Sequence, residues 1–451
     1  MMNPFIFREY DIRGRVGKDL TSDVVRKIGQ GYGTYMRTLG YRTVTLGRDN
    51  RLSSREFRDI MTEGILSTGC DVIDLGMIPT PLLYFSLFYL KPDGGVMITG
   101  SHNPPDFNGF KVCIGRNTIY GEEIQQIRRI IEQRDFANGN GKSIEKDIIE
   151  VYINLLKEKI ILNKGLKVVV DGGNGVSGLI APRLLKDLGC EVYELYCEPD
   201  GNFPHHFPDP TVPAYLKDLI SEVKDRNADL GIAYDGDADR IGVVDNEGNI
   251  VWGDQLMIIF SRDILKKTPG ASIIFEVKCS QNLVEDIERR GGRPIMWRTG
   301  HSLIKDKMKE EKAQLGGEMS GHIFFADDYY GYDDAIYASL RLVQILSNST
   351  QKIGDMLRDI PKTFYTPEIR IECPDEEKFN IVRELTEYFK GIYNVIDIDG
   401  VRILFKDGWG LVRASNTQPI LVLRFEAKSE ERLKEIKEVV FERLRRFPVI
   451  I

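Results

Sequence analysis

The chain is short of the features that would place it among several large classes of protein. It has six cysteines in 451 residues (Cys70, Cys113, Cys190, Cys197, Cys279 and Cys373), and no two form a CxxC pair. Scattered cysteines in a chain of this size read as small buried residues in a reducing compartment, not as a disulfide framework or a zinc site. No uncharged apolar run approaches the roughly 18 residues a membrane helix needs. The opening MMNPFIFREYDIRG sets Arg8, Glu9 and Asp11 where a secretory leader requires apolar residues, so the expected location is the cytoplasm. Excess positive charge is missing too. Lys and Arg number 61 against 68 Asp and Glu, a formal −7, which gives no reason to expect a nucleic-acid or membrane partner. An anionic ligand must therefore be drawn by a local cluster of cations. Low-complexity sequence is absent.

What is present describes an ordinary globular protein, 42% hydrophobic and 29% charged, and its length calls for two to four domains. One pattern occurs three times: VTLGRDNRLSSREFRDIMTEGILSTGCDVIDLG from Val44, KVVVDGGNGVSGLIAPRLLKDLGCEVYELY from Lys167, and ASIIFEVKCSQNLVEDIERRGGRPIMWRTG from Ala271. Each reads strand, polar loop, helix, glycine turn, strand, which is a βαβ unit and builds a parallel sheet covered by helices. The copies are too far apart for a solenoid and predict three similar α/β domains. Beyond Pro361, the segments VRILF and LVLRFEA flank a turn at Asp407-Gly408 and precede a charged helix from about Ser429. That is the pattern of an α+β domain with an antiparallel sheet. The expected fold is three mixed or parallel-sheet α/β domains (1–146, 147–249 and 250–361) plus a C-terminal α+β domain (362–451) around a central cleft.

Four loops carry chemistry. In GGVMITGSHNPPDFNGFK an apolar strand runs into Thr99-Gly100-Ser101-His102, and ligands sit beyond such carboxyl ends of a parallel sheet. Gly100 lets the backbone turn so that Ser101 projects, with His102 and Lys111 near enough to assist a nucleophile. The GxSxG spacing of serine esterases is absent. In LGIAYDGDADRIGVVDNEGN, Asp235, Asp237 and Asp239 alternate, with Gly236 giving backbone freedom, and can converge on one hard cation such as Mg²⁺. An EF-hand is ruled out by Arg240 and Asn246 at its glycine and glutamate positions, and by strand-like flanks. In AQLGGEMSGHIFFADD, Glu318, Ser320 and His322 offer hydrogen bonds suited to a polyhydroxylated ligand. In GLVRASNTQPILVLRF, Arg413, Ser415, Asn416 and Thr417 form a donor-rich turn able to hold phosphate oxygens. All five histidines (His102, His205, His206, His301 and His322) fall in or beside such loops rather than in helical apolar stripes.

With these residues in order along the whole chain, the sequence resembles the α-D-phosphohexomutase superfamily, and within it the phosphomannomutase/phosphoglucomutase group. TGSHNP is similar to the family's phosphoserine loop, DGDADR to its Mg²⁺ loop, GEMSGH to its sugar loop and RASNTQP to its phosphate loop; FREYDIRG matches as well. The resemblance implies a phosphoserine at Ser101 that supplies one ligand to Mg²⁺, the others being Asp235, Asp237 and Asp239. Lys111, His301 and His322 become candidates for proton transfer, supported by Arg13 and Arg240. Tyr10, Lys278, Glu318 and Ser320 would border the sugar, and Arg413, Ser415, Asn416 and Thr417 the phosphate that is not transferred. The implied reaction interconverts hexose 1-phosphate and hexose 6-phosphate, of mannose and/or glucose, through a 1,6-bisphosphate that also serves as activator, in a monomer or small homo-oligomer. Met319 in GEMSG favours mannose and glucose over glucosamine, so phosphoglucosamine mutase is the near alternative. A phosphoserine-dependent phosphatase and a non-catalytic sugar-phosphate sensor are the distant ones. Gln418 stands where the family commonly has glutamate, which removes a charge from the phosphate loop.

Overall fold

The structure is a computed structural model of the chain, and it describes residues 2–416, 418–447 and 449. Four sheets follow one another along the sequence. In the first, the parallel strands Gly94–Ile98, Thr43–Arg48, Asp71–Met77 and Ser143–Glu145 lie side by side. Phe107–Ile114 and then Ile12–Arg15 extend it antiparallel. The second sheet is ordered Ile250–Val251, Ile241–Asp245, Leu230–Tyr234, Lys167–Asp171, Glu191–Leu195, and the third Arg293–Trp297, Ser272–Glu276, Leu315–Gly317, Ile323–Phe325. Every strand pair of the fourth is antiparallel, with Ile420–Ala427 and Gly408–Ala414 at its centre.

The three βαβ units form as their sequences predict. In each, the helix (Ser54–Leu66, Ala181–Asp187, Gln281–Arg289) returns the chain to a parallel strand. The turn after each helix holds a glycine with φ between +74° and +94°: Gly69, Gly189 and Gly291. A side chain there would meet the left-handed penalty, so the recurring glycine is a helix stop. The strands that feed the cleft are apolar throughout, with all five residues of Gly94–Ile98 and of Leu230–Tyr234 buried, because helices or neighbouring segments cover both faces.

In the C-terminal domain the turn at Asp407 joins Val401–Phe405 to Gly408–Ala414 rather than to LVLRFEA. The strand GWGLVRA thus separates the two segments, and its glycines hid it from an alternation test. The phosphate-loop candidates consequently lie in the next hairpin connection, between Gly408–Ala414 and Ile420–Ala427.

One hydrophobic cluster runs from Leu82 and Phe85 of the first domain through Tyr152, Val170 and Tyr234 to Leu256 and Tyr337 of the third. The C-terminal domain has a core of its own, built from Ile371, Leu385, Leu423, Phe425 and Val440 among others. Three domains therefore pack as a block, and the fourth meets the third through a small seam of Val277, Trp409 and Leu411. Among the described residues no helix is long and apolar enough to cross a membrane, and the six cysteines are free and buried.

Candidate active site

Ser101 stands just beyond the end of Gly94–Ile98 and is 3% exposed. Its backbone N–H donates to Thr99 Oγ1 at 2.8 Å, and its φ is +49°, a left-handed conformation that costs a non-glycine residue about 1 kcal/mol. A fully buried guanidinium supports that conformation. Arg51 donates to the carbonyl oxygens of Ser101 (2.8 Å), Asn103 (2.5 Å), Pro104 (2.6 Å) and Phe107 (2.8 Å), with Asp49 at 3.3 Å as its counter-ion. The glycine beside Ser101 serves closeness rather than freedom. Gly100 is not in the left-handed region, but a Cβ on it would lie 2.4 Å from Arg51 Nε.

The strand Leu230–Tyr234 delivers the carboxylates. Asp235, Asp237 and Asp239 are wholly buried, and their oxygens lie within 4.8 Å of one another. The flanking strands Leu230–Tyr234 and Ile241–Asp245 form a hairpin, as the exclusion of an EF-hand requires. Here too the left-handed residue is not the glycine: it is Ala238, with φ +61°. Gly236 instead makes room for Ser101, whose carbonyl oxygen would be 2.5 Å from a Cβ at that position. The two loops touch, and the Ser101 hydroxyl donates to Asp235 Oδ2 at 2.6 Å while His102 Nδ1 lies 3.0 Å from the same Oγ.

Lys111, 4% exposed, places its ammonium 2.8 Å from Asp237 Oδ2 and also against Asp239 Oδ2. Thr80 donates to Asp237 as well. Burial pushes the Asp235 carboxyl well up, with the charges of Asp239 and Asp237 adding to it. Burial also pushes Asp237 up, but the Lys111 charge and the bonds from Lys111 and Thr80 outweigh it and hold it low. For Lys111 itself, burial is outweighed by the surrounding aspartates, which keep it protonated. Asp237 Oδ1 and Asp239 Oδ1 are buried without a hydrogen-bond partner. Buried carboxylate oxygens left without donors fit a hard divalent cation with oxygen ligands.

Around this centre lie the other candidates. Burial drives His102 and His301 well below the ordinary histidine range, the neighbouring cations adding to the effect, so both rings are neutral. His322 Nε2 accepts from Arg240 Nε at 3.0 Å, and its Nδ1 lies 3.2 Å from Asp333 Oδ2. That acceptor places the ring proton on Nδ1, facing the carboxylate. Asp333 also has His301 Nδ1 at 3.6 Å and Lys305 Nζ at 3.0 Å. Arg13 donates to Asn103 Oδ1 and Asp11 Oδ2 from its two terminal nitrogens, leaving a buried Nε without a partner.

The sugar-loop candidates sit between Leu315–Gly317 and Ile323–Phe325. Glu318 Oε1 accepts from the Gly300 N–H at 2.7 Å, and Ser320 donates to Oε2 at 3.1 Å. Lys278 has Glu276 at 3.5 Å and Glu368 at 3.2 Å. In the fourth domain Arg413 Nε donates to Asp399 Oδ2 at 3.0 Å, and Asn416 Nδ2 donates to the Tyr10 hydroxyl at 2.6 Å. Tyr10 in turn donates to the Thr299 carbonyl at 2.7 Å. Ser415 Oγ accepts from the Gln418 N–H, and Thr417 lies outside the described residues. Gln418 is exposed and engaged through its backbone, so the lost charge falls on the solvent side of the loop. Two histidines do not join the cluster. His205 stacks on Tyr196 and meets Asn174, and His206 pairs with Asp171, all in the second domain.

Sequence reasoning passed over three residues that organise this site: Arg51, Asp333 and Asp399. Arg51 lies in a turn flanked by Arg48 at the end of one strand and Arg55 at the start of a helix, so composition could not single it out. Asp333 follows the aromatic run YYGY in a stretch where acids beside large apolar rings could have signalled burial.

Family models match the chain in four consecutive pieces. They are the α/β/α domains I, II and III of phosphoglucomutase/phosphomannomutase at residues 4–138, 150–248 and 252–364, and the C-terminal domain at 368–443. A phosphomannomutase/phosphoglucomutase of Pseudomonas aeruginosa is 50% identical over 435 residues, 96% of this chain and 94% of that one. A phosphoglucomutase of Neisseria gonorrhoeae is 45% identical over 437 residues, 96% and 95% of the two chains. The crystal structure of a phosphoglucomutase/phosphomannomutase family protein from Burkholderia thailandensis superposes with a TM-score of 0.93 at 42% identity, covering 99% of this chain and 98% of that one. With a serine, a carboxylate triad, a sugar-type loop and an arginine loop gathered from four successive domains, and relatives alike from end to end, the chain belongs to the phosphoglucomutase/phosphomannomutase family.

Proposed function

We propose that this cleft moves a phosphoryl group between Ser101 Oγ and the O1 or O6 hydroxyl of a hexose phosphate, with both mannose and glucose phosphates as substrates. The observation that carries the reading is the 2.6 Å contact of the Ser101 hydroxyl with a buried carboxylate triad that retains unpartnered oxygens. Such a triad suits a cation that also binds a phosphorylated Ser101. Asp235, Asp237 and Asp239, with an oxygen of that phosphate, would hold Mg²⁺, which when bound neutralises charge on the transferring group.

The chain's own residues supply the rest. The P–O bond to Ser101 breaks as a P–O bond to the sugar hydroxyl forms, and the hydroxyl proton passes to a base. Arg13, Arg240 and the protonated Lys111 stand where negative charge gathers, a preorganised field that needs no rearrangement during transfer. His301 is neutral and able to accept a proton, and the bond from Arg240 sets the tautomer of His322, whose Nδ1 faces Asp333. Lys278, Glu318 and Ser320 face the sugar, with Tyr10 beside them, and Arg413, Ser415 and Asn416 take the distal phosphate. After transfer the 1,6-bisphosphate turns over and returns its other phosphoryl group to Ser101, so either 1,6-bisphosphate activates the enzyme by phosphorylating Ser101. All these groups come from one chain, so a monomer holds a complete site.

The test is an assay of mannose 1-phosphate and glucose 1-phosphate separately, with Mg²⁺ and a trace of glucose 1,6-bisphosphate, together with intact-mass measurement. Both sugars should be isomerised, one phosphate's mass should map to Ser101, and Ser101→Ala should lose at least about 10³-fold in rate. Release of inorganic phosphate, or activity indifferent to Ser101, would refute the reading.

A further inference from the structure

A cation outside every motif ties the C-terminal domain to the third. Arg402 lies in the strand Val401–Phe405, and its side chain is fully buried. Its Nη1 donates to the carbonyl oxygens of Val277 at 2.7 Å and of Cys279 at 2.8 Å. The guanidinium also sits 3.8 Å from the centroid of the Trp409 ring. Among the described residues it forms no ion pair, and its Nε and Nη2 have no hydrogen-bond partner. Burial pulls its pKa down to about 10. A buried cation that touches no carboxylate, with Glu426 and Asp254 acting on it only from beyond ion-pair distance, is a poor adhesive for an apolar seam, where Met or Leu would serve better. Some other task must account for it.

The two carbonyls indicate the task, since they flank Lys278. One nitrogen bonded to both fixes the turn from which Lys278 projects, and it does so from the domain that carries Arg413 and Asn416. The Lys278 ammonium itself stands across the same seam, between Glu276 of the third domain and Glu368 of the fourth. Further bonds follow the same course: Gln281 N–H to Glu426 at 3.1 Å and Thr299 N–H to Asp399 at 3.0 Å.

We infer that Arg402 is a positioning residue for Lys278, making residues 277–279 move with the C-terminal domain so that Lys278 and Arg413 hold the bisphosphate as one unit while it turns over. The inference rests on the proposed role of Lys278 as a substrate contact, and the experiment separates the two.

The experiment measures KM and kcat for glucose 1-phosphate, and the glucose 1,6-bisphosphate lost to solution per turnover, in the parent, Lys278→Met, Arg402→Met and the double variant. Each single change should raise KM about 10-fold and increase bisphosphate escape, with a much smaller effect on kcat. The double variant should be no worse than Lys278→Met alone, because one residue acts through the other. Arg402→Lys, which keeps the cation and loses the planar fork, should raise KM about 3-fold in the parent and not at all beside Lys278→Met. It carries the same comparison if Arg402→Met does not fold. Multiplying effects in the double variants would overturn the inference and leave Arg402 as seam packing. An unchanged KM in Lys278→Met would instead overturn the role of Lys278, and this inference with it.

Discussion

Replacing Gly236 by alanine adds one methyl group at the point where the carboxylate loop meets the serine loop. That methyl would lie 2.5 Å from the Ser101 carbonyl oxygen and 3.2 Å from Pro208 Cγ. A carbon and a carbonyl oxygen settle at about 3.3 Å, so the loops must part by about 0.8 Å. Ser101 cannot yield easily, because Arg51 holds that same oxygen at 2.8 Å and three further carbonyls of the turn. The displacement therefore falls on Asp235 and its neighbours. The Ser101 to Asp235 contact, now 2.6 Å, would open to about 3.4 Å, beyond a sound hydroxyl–carboxylate bond. A misplacement near 1 Å at reacting groups costs about 10²-fold in rate. Overpacking of this size costs about 1–3 kcal/mol of stability. Initial rates of hexose 1-phosphate conversion at saturating Mg²⁺ and bisphosphate should thus show kcat down about 100-fold. KM should change little, since in the proposed reading the sugar and distal phosphate are held by the third and fourth domains. A kcat within about threefold of the parent would mean that the contact between the loops does not set the reacting geometry.

Two further outcomes follow from buried charges. Arg51→Met strips four carbonyls and Asp49 of their donor, and should destabilise the protein by about 3–5 kcal/mol, read from the denaturant midpoint. A loss under about 1 kcal/mol would show that the turn holds itself without the guanidinium. Asp334, which accepts from Tyr152 and Tyr329 and caps the helix Ala335–Ser347, has its carboxyl pushed by burial from 3.8 up to about 6. The folded chain holds this proton more tightly than the unfolded one, so the contribution is full below pH 4 and lost as pH rises to 6. Stability curves of Asp334→Asn and the parent should therefore diverge in the variant's favour by about 3 kcal/mol over that interval. A difference that does not vary with pH would refute the assignment.

The parts of this molecule legible in the sequence are those written in consecutive residues. The strand leading to Ser101, the strand leading to Asp235 and the three βαβ units are local runs, and each appears where its pattern places it. The roles assigned to Gly100 and Gly236 were misjudged in their reason. Both read as sources of backbone freedom, but the left-handed residues are Ser101 and Ala238, and the glycines are needed for close approach by Arg51 and Ser101. Close approach between segments 50 to 135 residues apart leaves no mark in a local window. The same holds for Asp333, whose partners His301, His322 and Lys305 come from separate segments, and for Arg402, one of 61 Lys and Arg until the fold buries it.

The phenol of Tyr10 has a role beyond the sugar contact proposed for it. Among the described residues, its bond from Asn416 is the one hydrogen bond joining the first domain to the fourth. Beside it lies a cavity of about 460 Å³ edged by Arg8, Arg128, Asp375, Lys378 and Asn416. Since Tyr10 also donates to Thr299, one phenol oxygen touches the first, third and fourth domains together. A neutral hydrogen bond contributes about 1 kcal/mol net, so by itself this link restrains the fourth domain only weakly. The third domain holds the fourth through Arg402, the Gln281–Glu426 and Thr299–Asp399 bonds and an apolar seam, so the fourth domain is anchored on one side of the cleft and lightly tethered on the other.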